Sequence, residues 1–398
     1  MNNAKAQVSA EVDRLAERLI EVSRDIHAHP ELNYAEHYAH DVLTRTLEQF
    51  GLPVVRHAYG VETAFEAVVG DVGPEVLILL EYDALPGIGH GCGHNVIAGA
   101  GLGAGLAAST LARELGGRVR ILGTPAEEGG GGKIAMARQG AFASGLAAMM
   151  VHPADADLIK MNSIAIHTVD VAYEGKAAHA AAAPWEGRNA LDAAVLGYMN
   201  VAALRQHIRP SERVHGIITE GGEKPNIVPR RAGATWYVRS DTISTLQPLK
   251  ERVVSCLEGA TSACGCSMTA TWDDHTYADV RDNLAIVDSY VRNMGELGRT
   301  VRDPRVEGRS VVGSTDMGNV SYLMASIHPM VKIAPDGVAI HTEEFAAYAA
   351  SESGDAGVLL GAKAMAMTVV DLWTDADLRD RAATEFSSVT SEVDVLAR

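Results

Sequence analysis

Three short segments carry residue types that can do chemistry at one place: Gly89-His90-Gly91-Cys92-Gly93-His94-Asn95, Thr124-Pro125-Ala126-Glu127-Glu128 and His152-Pro153. A thiolate, imidazoles and a carboxylate together form a donor set for a borderline-soft divalent cation such as zinc. Cys92 and His94 stand two apart, and the intervening Gly93 allows the tight turn both need to reach one ion. Adjacent carboxylates point in different directions. In Glu127-Glu128 one can therefore bind metal while the other acts on water. Upstream, Glu81-Tyr82-Asp83 adds two carboxylates, of which Asp83 is suited to orient a ligand imidazole.

Each segment also has a plainer reading. Cys92-Gly93-His94 alone is a Gly-rich loop with a buried cysteine, Glu127-Glu128 alone a solvated acidic turn, and His152 alone a structural histidine at a strand end. Their succession, each after an apolar run, favours the metal. A rival reading makes Cys92 a nucleophile with His94 as its base, but two-residue spacing makes direct pairing awkward. A non-catalytic metal-binding protein is a third reading, against which the spare carboxylate argues.

Further candidates lie downstream. His341, in Ala339-Ile340-His341-Thr342-Glu343, reads as the end of a strand leading to a helix; spacing alone leaves open whether it joins the metal set. His179 is either a loop histidine or a donor reaching the site. Arg239 is suited to grip a substrate carboxylate or is an ordinary strand-edge charge. Ser314, a candidate substrate contact, lies in Gly313-Ser314-Thr315-Asp316-Met317-Gly318, which reads as a helix N-cap with free backbone N–H groups. The pair His27 and His29 reads as a helix end whose imidazoles meet the last carbonyls.

The elements that position these residues alternate. Helices are predicted at about 8–26, 35–50, 95–115 and 132–139, and strands at about 63–69, 76–80, 119–123 and 147–151. This is an α/β fold, a mostly parallel sheet flanked by helices, and ligands bind such sheets at strand ends. From about residue 166 the order becomes β-α-β-β-α-β, a ferredoxin-like unit. The alternating pattern resumes after about 283. The expected organisation is therefore a catalytic metal-binding domain of 1–165 and 284–398, interrupted by a second domain of 166–283.

With 34 Lys and Arg against 51 Asp and Glu, the net charge is −17. That argues against nucleic acid or an anionic membrane as partner and leaves a small-molecule substrate. No uninterrupted run of about 18 apolar residues appears, so no membrane span is expected. Cys92, Cys256, Cys264 and Cys266 make no disulfide framework, which fits a reducing cytoplasm.

Taken together, the chain resembles the dinuclear-metal aminoacylase and carboxypeptidase family. Within it, the likeness is to the branch of hippurate hydrolase, auxin-conjugate amidohydrolase, p-aminobenzoyl-glutamate hydrolase and β-alanyl-lysine type dipeptidase. The likeness runs from His27-Ala28-His29-Pro30-Glu31-Leu32 to His341-Thr342-Glu343-Glu344-Phe345. It implies that Cys92, His94, Glu128, His152 and His341 hold two divalent ions per subunit, zinc or manganese or cobalt. It implies that Glu127 is the general base and that 166–283 is a lid and dimerisation domain. On that domain His179 would stabilise the oxyanion, reaching across a homodimer, and Asn226 and Arg239 would meet the substrate. Asn95 departs from the Asp common after the ligand histidine in this branch. The implied reaction is hydrolysis of an amide bond in N-acyl amino acids, aryl-amino-acid conjugates or dipeptides.

Overall fold

The computed structural model describes residues 3–306, 312–389 and 393–397. Two compact units emerge: Met1–Asn162 with Val280–Thr390, and Ser163–Asp279 with Ser391–Arg398. The first boundary falls slightly before residue 166, because a strand begins at Ala165. The second falls before 284, because Tyr277 exchanges both backbone hydrogen bonds with Ile166.

The larger unit opens with α1 (Asn3–Ala28) and α2 (His37–Gln49), then β1 (Val54–Arg56), β2 (Phe65–Val69) and β3 (Glu75–Leu80). It continues through α3 (His94–Ser109), β4 (Arg118–Gly123), α4 (Gly132–Arg138), β5 (Ala147–Met149), β6 (His152–Ala154) and β7 (Asn162–Ser163), the last at the unit boundary. The smaller unit holds β8 (Ala165–Glu174), α5 (Ala190–Leu204), β9 (Arg213–Glu220), β10 (Arg231–Ser240), α6 (Ile243–Cys264) and β11 (Ser267–Trp272). Its antiparallel sheet runs β11-β8-β10-β9, leaving β9 on an edge. The larger unit then resumes with α7 (Leu284–Glu296), β12 (Val312–Gly313), α8 (Met317–Leu323), β13 (Ala325–Ile327), β14 (Met330–Lys332), α9 (Glu343–Ala349), α10 (Glu352–Thr374) and α11 (Ala376–Ser388). Alternation therefore stops at β14, and three successive helices follow.

The main sheet runs β1-β2-β4-β3-β5-β13. Four adjacent strands, β4, β3, β5 and β13, are parallel, and β1 and β2 add an antiparallel edge. Every residue of β3 is buried, as expected of a strand covered on both faces. Covering one face is α3, buried from His94 to Ala108. Its glycines let neighbours approach on two sides. A Cβ on Gly105 would stand 2.4 Å from Ile121 of β4, and one on Gly103 2.7 Å from Leu19 of α1 and 2.9 Å from Ala362 of α10. Helix α10 is long and apolar enough to cross a membrane by length and composition, yet most of it is buried as a core helix against α1 and α3.

Asn95, in the first turn of α3, ties this packing together. Its Nδ2 donates to Ser23 Oγ of α1 at 3.0 Å and to the Ala349 carbonyl of α9 at 2.9 Å. A carboxylate there loses both donations and faces a carbonyl inside the core. We expect Asn95→Asp to lower unfolding stability by about 2 kcal/mol or more. Chemical denaturation monitored by circular dichroism checks this, and an unchanged midpoint contradicts it.

Candidate metal centre and catalytic residues

The site lies beyond the carboxyl ends of the parallel strands, where each connection leaves the sheet. Residues Glu81 and Asp83 follow β3, Glu127 and Glu128 follow β4, and His152 opens β6 just past β5. The sequence placed His152 at the end of a strand; it instead begins β6, because β6 pairs with β14 as a separate two-stranded ladder. Gly93 takes φ +76°, and a Cβ there would meet Pro153 at 2.5 Å, so the turn between Cys92 and His94 requires glycine. The segment before α9 is a loop and not the expected strand; His341 sits in it at φ +63°. Ala126, one residue before Glu127, is also left-handed at φ +59°. Two strained non-glycine positions thus flank the site. The buried Glu36 carboxylate holds the second, accepting from Ala126 N at 2.9 Å.

Ligand atoms of Cys92, His94 and His152 lie within 4.8 Å of one another, as do those of Cys92, Glu128 and His341, and of His94, Glu127 and Glu128. Their protons are already assigned by outer partners. Asp83 Oδ1 lies 3.0 Å from His94 Nδ1, and the Pro153 carbonyl 2.8 Å from His152 Nδ1. With those nitrogens donating, both Nε2 atoms turn lone pairs inward. Nε2 of His152 then lies 3.3 Å from Cys92 Sγ. Buried His94 Nε2, Glu81 Oε2 and Glu128 Oε1 have no hydrogen-bond partner. His341 Nε2 comes within 3.3 Å of Glu128 Oε1 without hydrogen-bond alignment. Buried polar atoms left without partners beside these ligand groups fit a cation.

The electrostatics agree. Burial pushes the Cys92 thiol well up, aided by Glu128, so without a bound cation it is a thiol and a poor nucleophile. For His94, burial opposes charge, but Asp83 and Cys92 override it and raise its pKa. Burial, then Glu81 and Glu128, drive Glu127 well above the usual carboxylate range. Burial likewise acts upward on Glu128, but the His341 and His94 imidazoles outweigh it and lower the pKa. The neighbouring acids are thereby split: the Glu128 carboxyl is held below its usual range and that of Glu127 above it.

Three expected residues lie in the smaller unit. His179 is exposed, and its Nδ1 accepts from Ala181 N and Ala182 N at 3.3 and 3.1 Å. That acceptor role places the neutral ring's proton on Nε2, a donor for an oxyanion. His179 and Asn226 are neighbours, since the Asn226 carbonyl accepts from Ala180 N at 3.0 Å. Arg239, on β10, has its guanidinium 5.8 Å from the Tyr237 ring centre. Ser314 is half-buried in the larger unit, after β12. The segment does open a helix, α8, with Asp316 at the N-cap position; the Asp316 side chain makes no cap bond and turns to Lys133, while Thr315 Oγ1 accepts from Met317 N at 3.1 Å. Both His27 and His29 do meet carbonyls, of Ala346 and Asp25 respectively.

Four buried residues at the site escaped sequence reasoning as participants: Glu36, Lys133, Asp316 and His328. The His328 ring stacks edge-on to His152 at 5.6 Å, and burial pushes its pKa well down. Nothing in spacing marks it, since its role arises from β13 lying beside β5.

Residues 74–366 match the Peptidase family M20/M25/M40. The chain belongs to that family. It is 40% identical to the Xaa-Arg dipeptidase of Mus musculus over 98% of this chain and 94% of the relative. Identity to a p-aminobenzoyl-glutamate hydrolase chain of Escherichia coli K12 is 29%, over 96% of this chain and 94% of that relative. Among solved structures, a dinuclear metal binding peptidase of the M20 family from Bacillus subtilis superposes with a TM-score of 0.70 at 18% identity, covering 90% of this chain and 99% of the other. This M20 protein is a hydrolase of the peptidase and amidohydrolase class, and the thiol-hydrolase alternative is not favoured.

Because Asp83 holds His94 Nδ1 and also accepts from Glu128 N at 2.9 Å, Asp83→Asn should weaken metal binding about 10- to 100-fold. Competition with a chromogenic chelator measures it; unchanged affinity contradicts the orienting role.

Proposed function

We propose that the protein is a dinuclear metallodipeptidase that cleaves dipeptides ending in a basic amino acid, arginine above all. The convergence of Cys92, His94, Glu128, His152 and His341 beside the buried Glu127 carboxyl carries the hydrolytic part of this reading. The substrate class rests on 40% identity along nearly the whole chain to an Xaa-Arg dipeptidase. Cys92 shared between two ligand groups supports two neighbouring ions, and the mixed sulfur, nitrogen and oxygen donors suit zinc or manganese. When bound, the ions supply Lewis acidity toward the scissile carbonyl and make water acidic.

Glu127 takes the proton from the attacking water and returns it to the leaving amine. The second oxygen of the tetrahedral intermediate receives the Nε2 proton of His179 as a hydrogen bond. Asn226 and Arg239 bind the carboxyl end of the substrate. We assign the chain to a reducing cytoplasm, in keeping with four cysteines that are all free.

The active unit in this reading is a homodimer. Edge strand β9 exposes Ile217 and Ile218, and α5 of the same unit exposes Val195, Leu196, Tyr198 and Met199. An uncovered edge strand beside apolar side chains is the surface a second copy pairs with.

Two experiments test this. Release of free arginine from an Xaa-Arg panel, run beside N-acyl amino acids and p-aminobenzoyl-glutamate, should be fastest on the dipeptides and abolished by chelator. Glu127→Gln should keep its metal while kcat falls about 10²- to 10⁴-fold. Chelator-insensitive turnover, or full activity in Glu127→Gln, overturns the mechanism. Separately, Ile217→Asp combined with Met199→Glu should turn a dimer into a monomer in analytical ultracentrifugation; a monomeric native protein overturns the dimer.

A further inference from the structure

Beside the metal-ligand cluster lies a second, all-carboxylate one. Oxygens of Glu81, Glu127 and Asp316 fall within 4.8 Å of one another, spacing that would hold a cation. A cation is already in contact with two of them. Lys133 of α4 is fully buried, with its Nζ 2.5 Å from Glu81 Oε1 and 2.6 Å from Asp316 Oδ1. Its backbone N–H donates to the other Asp316 oxygen at 2.8 Å. A lysine is almost never buried this completely unless paired, and here it is paired twice.

The clamp has a direction. With Oε1 on Lys133, the buried Glu81 turns Oε2, which has no hydrogen-bond partner, to within 3.5 Å of His94 Nε2. Glu127 Oε2 is 3.8 Å from the same nitrogen. Without the ammonium, the three carboxylates would form an open hard-cation pocket of oxygen ligands. A divalent ion drawn into it would commit the oxygens of Glu127 to coordination and remove them from water.

We propose that Lys133 is a positioning residue for hydrolysis: its ammonium is the resident cation of the Glu81–Glu127–Asp316 cluster, keeping metal out of it and Glu127 available to water. The inference rests on the reading of Glu127 as the base. It adds a residue that touches neither substrate nor metal ligands and acts through Glu81.

The test compares native protein with Lys133→Ala after loading with manganese and desalting. Lys133→Ala should retain more manganese per chain than the native protein by mass spectrometry. Its kcat should fall about 10- to 100-fold while KM stays within about threefold. Equal manganese counts with kcat within about threefold of native overturn the proposal. If the single variant does not fold, Lys133→Met with Asp316→Asn removes one charge of each sign. It should fold and still lose kcat, because Glu81 has lost its clamp; native kcat in this double variant overturns the proposal. If the native protein shows no chelator-sensitive hydrolysis, the functional reading fails by itself, and the manganese count still decides whether Lys133 fills the cluster.

Discussion

At the head of this sheet three buried polar atoms, His94 Nε2, Glu81 Oε2 and Glu128 Oε1, face inward without a hydrogen-bond partner among the described residues. Asp83 and the Pro153 carbonyl take up the outer imidazole nitrogens, and the Cys92 sulfur meets His152 Nε2 at 3.3 Å, which leaves those three atoms unanswered. Such an arrangement is costly in a protein interior unless positive charge enters it. On one side a divalent ion fits the donor set. On the other, Lys133 meets the need covalently, from within the chain. Two adjacent acids are separated in the same place: against burial, His341 and His94 lower the Glu128 pKa, while burial, Glu81 and Glu128 raise that of Glu127.

Holding these groups close demands rigid surroundings. The Cys92–His94 turn tolerates no side chain at Gly93, and α3 behind it is wedged between the sheet and two helices through glycine contacts. Asn95 then clips the first turn of α3 to α1 and α9. Helix α3 thus carries His94 on an element that cannot slide, and the loop before α9 brings His341 up against Glu128. Strain at Ala126 and His341 is tolerated because that packing over-determines the backbone.

Much of this was legible in the sequence because it is written locally. Short apolar runs placed β2, β3 and β4 within two residues, an Ala-, Gly- and Leu-rich stretch placed α3 but carried its end six residues too far, and the succession of strands and helices gave the β-α-β-β-α-β order of the smaller unit. Cys92, His94, Glu127 and Glu128 stood out because residue type and short spacing carry the signal. What escaped depends on pairings distant in sequence. Lys133 resembles any helix-start lysine until β3 and the segment after β12 bring Glu81 and Asp316 to it. His328 gains meaning only from β13 lying beside β5. The strand expected before His341 is a loop because the chain there must turn back toward Gly91, whose carbonyl accepts from His341 N at 2.8 Å.

The order of the candidate ligands along the chain has a consequence for biosynthesis. Cys92, His94, Glu128 and His152 all precede Ser163–Asp279, whereas His341 follows it. A ribosome therefore delivers most of the donor set, then the whole of the smaller unit, and only afterwards the last imidazole. The candidate donor set is therefore complete only after the resumed segment has been synthesised.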